Sequence, residues 1–220
     1  MSFTEHDNAT WFFLTPRSEH HNSESFWSTL FALYLLAESR GNRDLALPAF
    51  RYVEADHRWA FQPAGTLAVP TGLEFTDVVV EGKIRPHFLP RVGPVPDELL
   101  DLRPDILFHH QDRVIVIEVK TVGHELGQYQ RDCYLTLTKF LRSVGYTTEL
   151  YFLISAGHEK RRDLGLLRWD PAGPDPFKIL LWEQVFRQMC EAQPSSPLSV
   201  CLGNISAYYA NEAHFMHGEC

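Results

Sequence analysis

Residues 103–120 read RPDILFHHQDRVIVIEVK, and they decide the fold. Ile106–His109 forms a short expected strand, Gln111-Asp112 a turn, and Arg113–Lys120 a second strand antiparallel to the first. The run VIVIEV is apolar on both faces, which predicts a central strand covered by helices. Side chains alternate along a strand, so Glu118 and Lys120 point one way and Val119 the other. Pairing across the turn brings Asp105 beside Glu118.

Two carboxylates side by side repel unless a divalent cation lies between them. Hard oxygen donors of this kind suit Mg²⁺ or Mn²⁺, and the carbonyl of Val119 completes the protein's share of ligands. Lys120 then has a task. It orients or deprotonates an attacking water, or stabilises charge on a phosphate oxygen. Such a site hydrolyses phosphodiesters. A plainer reading stands beside this one: an isolated Pro-Asp is usually a turn, and Glu118 with Lys120 alone is an ion-paired strand end.

Outward from this segment the pattern is helix, strands, helix, strand, then a strand and helix. Residues 24–39 carry apolar positions 26, 27, 30, 31, 34 and 35 and predict a buried helix, with Ser23 as N-cap and Gly41 as its stop. Residues 44–72 read as irregular, with one short helix near Phe50–His57. FTDVVVEGKIRPHF (75–88) reads as a hairpin around Glu81-Gly82, and a proline-rich loop runs from Arg91 to Pro104. Residues 124–144 place Leu126, Tyr129, Cys133, Leu137, Phe140, Leu141 and Val144 on one helical stripe, ended by Gly145. Glu149–Ser155 is an apolar strand. Residues 177–192 give a strand (FKILL) and an amphipathic helix; the tail from Pro194 is weakly patterned, and no internal repeat is present. The expectation is one α/β domain over 1–220: a mixed central sheet flanked by helices, with a core at about 22–156 and a strand–helix addition within 157–220.

The 220 residues are 45% hydrophobic and 22% charged, an ordinary globular composition. The net charge of −8 counts against a protein that coats nucleic acid, but not against an enzyme that cuts it. Cysteines 133, 190, 201 and 220 form no CxxC, match no zinc or iron–sulfur spacing, and read as reduced thiols of a cytoplasmic protein. Phe26–Ala37 is too short to span a bilayer, so no membrane partner is expected. Residues 1–22 read as a flexible, His-rich start. Adjacent His109 and His110 cannot enter one site from a strand. His20, His21 and His124 read as solvated, with His109 or His124 left as a candidate near a phosphate path. Lys160, Arg161 and Arg162 read as a solvated loop or a phosphate contact. Trp27, Phe31 and Tyr34 read as core, and Trp169 as the candidate for base stacking.

Pro104-Asp105 followed by Glu118-Val119-Lys120, 13 residues on from Asp to Glu, resembles the signature of the PD-(D/E)xK nuclease superfamily. Gln130 and Tyr134 resemble the Gln-x-x-x-Tyr helix pattern of its RecB-like branch. Asn22-Ser23-Glu24 with Thr29 resembles the first-helix start of bacterial members. The iron–sulfur cysteine set of some members is missing, and no P-loop accompanies the pattern.

The resemblance implies a restriction-endonuclease-like core and a Mg²⁺- or Mn²⁺-dependent nuclease, most readily a deoxyribonuclease or endonuclease. Asp105, Glu118 and the Val119 carbonyl then hold metal, with Glu24 as the first-helix ligand and Glu38 as its runner-up. Lys120 handles the nucleophile, and Gln130 and Tyr134 position the site. The implied partner is nucleic acid, with the chain acting as a homo-oligomer or as a subunit of a larger complex. The implied setting is bacterial defence against foreign DNA, or repair. Two alternatives stay open: a non-catalytic subunit that keeps the fold and binds a protein or nucleic acid, and a hydrolase of small nucleotides.

Overall fold

The computed structural model describes residues 24–41, 45–121, 126–156, 162–170 and 176–191. A mixed seven-stranded sheet runs through the molecule in the order β2-β1-β7-β6-β5-β4-β3. Its strands are β1 Leu45–Ala55, β2 Arg58–Val69, β3 Val78–Val80, β4 Ile106–His110, β5 Arg113–Val119, β6 Thr147–Ile154 and β7 Lys178–Leu181. The helices are α1 Glu24–Arg40, α2 Gln128–Ser143 and α3 Trp182–Glu191. This is an α/β protein. Among the described residues no helix is long and apolar enough to cross a membrane.

The apolar strand VIVIEV lies where its composition demands. β5 is interior, parallel to β6 and antiparallel to β4, and β6 is in turn parallel to β7. Val114 to Val119 are all at most 1% exposed. Alternate residues feed two apolar layers. Ile115, Ile117 and Val119 join the layer that includes α1 and α3, while Val114 and Val116 join the layer that includes Leu137 and Leu141 of α2. In the first layer Trp27 and Phe31 of α1 pack edge-on to Trp182, and Trp182 stacks on Phe186 with 5.2 Å between ring centres.

Four expectations are corrected. Residues 45–69 are not irregular with a short helix; they form a long antiparallel hairpin, Ala55 opposite Arg58. LALPAFRYVEA alternates in burial, and Asp56 and His57 both adopt positive φ, +51° and +63°. That is the backbone of a two-residue type I′ turn, closed here without the usual glycine. FTDVVVEGKIRPHF is not a hairpin either. Only Val78–Val80 is strand, paired with Ile106–Phe108 of β4, and the chain then leaves the sheet. It doubles back so closely at Gly82 that a Cβ there would collide with Val79.

On α2, Tyr129 is 77% exposed rather than part of the apolar stripe, and Tyr134 is buried in its place. The helix starts at Gln128, and its buried face is set by Cys133, Tyr134, Leu137, Thr138 and Leu141. The strand expected as an addition, β7, lies inside the sheet between β1 and β6. Gly145 does end α2 in a positive-φ conformation, +93°.

Candidate active site

The site grows from the pairing of β4 with β5. Ile106 faces Ile117 in register, so the next residues outward, Asp105 and Glu118, meet where β4 ends. The Asp105 carboxylate replaces a backbone partner there, its Oδ2 accepting the Val119 N–H at 2.6 Å. Lys120, two residues after Glu118, turns to the same side. Its Nζ lies 2.8 Å from Glu118 Oε1. The backbone of Lys120 is held at both ends, its N–H by Leu153 O of β6 and its carbonyl by the indole N–H of Trp182 at 3.1 Å.

α2 crosses this end of β5 and delivers the other two expected residues. Gln130 Nε2 donates to Glu118 Oε1, and the Tyr134 hydroxyl donates to Glu118 Oε2. Residues four apart share a helix face, which is why one helix supplies both donors. Both oxygens of Glu118 are thus engaged, one by an ammonium and an amide, the other by a phenol. Glu118 and Lys120 are 1% and 3% exposed, whereas Asp105 keeps partial access to solvent.

The electrostatics follow from burial. Asp105 is pushed up to about 9, first by desolvation and then by repulsion from Glu118, against the opposing pull of the Val119 N–H. Glu118 is also raised, mainly by desolvation, although Lys120 and Tyr134 act the other way. Only when both carboxyls ionise do they outweigh the single ammonium, and a cation supplying the missing positive charge would meet hard oxygen donors there. A small divalent cation suits that donor set. Among the described residues no three His, Cys, Asp or Glu side chains gather as a metal-binding group.

Asp105, Glu118, Val119, Lys120, Gln130 and Tyr134 therefore come together. The side chain of Glu24 lies outside the described residues. Glu38 is buried in the last turn of α1. Fourteen residues of helix separate it from Glu24, about 21 Å at 1.5 Å per residue, so α1 can bring at most one of them to the site.

His109 is not near the cluster. It sits toward the other end of β4, its ring nitrogen 2.9 Å from Gln111 O and its ring edge-on to Phe88 and Tyr146. Trp169 is half-buried, with the Arg51 guanidinium over its ring at 4.8 Å, so it is no open stacking platform. Ser23, residues 1–22, His124, Lys160, Arg161 and the tail from Pro194 lie outside the described residues, as does the side chain of Arg162.

Two contributors were missed by reading the sequence. Trp182 holds the Lys120 carbonyl, and Glu183 accepts from Ser155 Oγ at 2.6 Å and from Ala156 N–H at 2.9 Å just past β6. Both follow directly from β7, a segment whose place inside the sheet has no local signature. Compared with family models, curated proteins and solved structures, the chain finds no match.

Proposed function

We propose that the protein is a metal-dependent nuclease that hydrolyses phosphodiester bonds of nucleic acid, DNA first. The observation that carries the reading is the convergence of Asp105, Glu118 and Lys120 at one end of the β4–β5 pair, with Gln130 and Tyr134 closing over Glu118. Five residues from three separate elements meet in the arrangement that the PD-(D/E)xK resemblance implies. A turn-forming Pro-Asp or a chance ion pair has no reason to recruit the helix.

Asp105, Glu118 and the Val119 carbonyl would hold Mg²⁺ or Mn²⁺. When bound, the ion lowers the pKa of a water and neutralises phosphodiester charge. The chain's own residues do the rest. Gln130 Nε2 and Tyr134 Oη fix the Glu118 carboxylate, so that it need not reorganise during reaction. The Val119 N–H does the same for Asp105. Lys120 Nζ, the ammonium paired with Glu118 and held through its own backbone by Leu153 and Trp182, orients the water or meets the charge that grows on the phosphate.

The test is incubation of purified protein with supercoiled plasmid, linear duplex, single-stranded DNA and RNA, in Mg²⁺ or EDTA, beside Lys120→Ala. The expected result is cleavage of DNA that needs Mg²⁺ and is lost in the variant. Absence of cleavage of every polymer by the wild type, in Mg²⁺ and in Mn²⁺, would overturn the reading. A second reading is a non-catalytic subunit that binds a partner through this fold. It is favoured by the completeness of the Glu118 network, in which both oxygens are already bonded within the protein. Under it, divalent ions do not bind.

A further inference from the structure

Arg131 follows Gln130 on α2, yet the network around Glu118 does not use it. Its guanidinium lies 5.9 Å from the Phe177 ring centre. Its ionic contact among the described residues is with its half-exposed neighbour Asp132, at 3.4 Å. Its Nε–H is buried with no acceptor among the described residues. A buried N–H without an acceptor is unfavourable, and a guanidinium is a rigid fork suited to two oxygens of one anion. The side chain stays 24% exposed, so a ligand can reach it.

The helix also packs against the 3-10 turn Asp97–Leu99, whose first turn carries Asp97 and Glu98, while Asp101 beyond it is paired with Lys83 at 2.6 Å. The acids of that turn disfavour a polyanion beside it.

We propose that Arg131 binds a backbone phosphate of the substrate strand next to the one being cut. The inference rests on the nuclease reading and adds to it the path of the strand over the first turn of α2. It makes Arg131 a binding residue for a phosphodiester backbone, indifferent to base.

The test uses the full chain in EDTA, so that nothing is cut, with fluorescent single-stranded DNA and RNA of one sequence. Anisotropy gives Kd across a salt series for wild type, Arg131→Gln and Arg131→Lys. Arg131→Gln is expected to weaken binding about tenfold for any base sequence, and to reduce the slope of log K against log salt by about 0.7–1. Arg131→Lys is expected to keep the slope and lose part of the affinity, because charge survives and the fork does not. Thermal melting of Arg131→Gln should match or exceed that of wild type, because an unpaired buried donor has been removed. An unchanged Kd, a weaker Kd with an unchanged salt slope, or no binding by the wild type would each overturn the assignment. Cleavage by wild type with unaltered binding by Arg131→Gln sinks the arginine and leaves the nuclease reading. Arg131-dependent binding without any cleavage does the reverse. A greater loss on DNA than on RNA, or the opposite, identifies the strand that Arg131 serves.

Discussion

Lys120 and Glu118 lie two residues apart on one side of β5 and form an ion pair, Nζ to Oε1 at 2.8 Å, in which both side chains are almost fully buried. Burial makes the pair expensive to break. It also means that Lys120→Ala removes two things at once: the group proposed to act at the phosphate and the counter-charge of Glu118. Cleavage is expected to fall at least about 100-fold, the usual worth of a positioned proton-handling group. The variant should also lose about 3–5 kcal/mol of stability, because a buried carboxylate is left without its cation. Product formation on plasmid and urea unfolding measure the two effects.

Asp105 opposes folding in the metal-free protein. Its carboxyl is raised from an ordinary 3.8 to about 9, by desolvation first and by Glu118 second. Between those values the folded state binds a proton that the unfolded state does not, so stability falls as pH rises from about 4 to about 9. Asp105→Asn cannot ionise, and its side-chain carbonyl can still accept the Val119 N–H. In EDTA the variant should therefore melt above wild type at pH 8, by about 2–4 °C for each kcal/mol relieved, with the gap closing toward pH 4. Melting curves across pH test this; a lower melting temperature at pH 8 would contradict it.

Tyr134→Phe removes the hydroxyl that donates to Glu118 Oε2 and lies 3.5 Å from Arg103 O. The ring stays packed on Phe152 and leaves no cavity, while Glu118 Oε2 loses its donor. The expected cost is about 1–3 kcal/mol, the penalty for a buried acceptor left unpaired. Activity should fall while the circular dichroism spectrum is preserved.

Trp182→Phe asks whether the aromatic core beneath the site holds Lys120 in place. A smaller ring still packs against Trp27, Phe31 and Phe186 but leaves part of the indole's space empty, and the N–H that reaches the Lys120 carbonyl is gone. The turnover rate should fall more than the apparent affinity for Mg²⁺, because the lost hydrogen bond goes to Lys120 and not to Asp105 or Glu118, the side chains proposed to hold the ion. Steady-state rates across a Mg²⁺ titration separate the two.

Part of the candidate cluster was legible in the sequence, because within each element its geometry is local. The period of two along a strand places Glu118 with Lys120, a short turn places Asp105 opposite, and the period of the helix places Gln130 with Tyr134. The β1–β2 hairpin was not legible. Its turn is Asp56-His57, which lacks the glycine that normally marks positive φ, and Pro48 and Pro63 sit inside its strands. The place of β7 was hidden for another reason. A four-residue strand inserted between β1 and β6 is decided by long-range pairing, and nothing within KILL encodes it. Trp182 and Glu183 were hidden with it.

Asp105 and Glu118 are proposed to share one divalent cation. Calorimetric titration of Mn²⁺ into the full chain at pH 8, for wild type and Asp105→Ala, measures this. Wild type is expected to bind saturably, and the variant to lose that binding. No heat from wild type, or the same isotherm from both proteins, would contradict it.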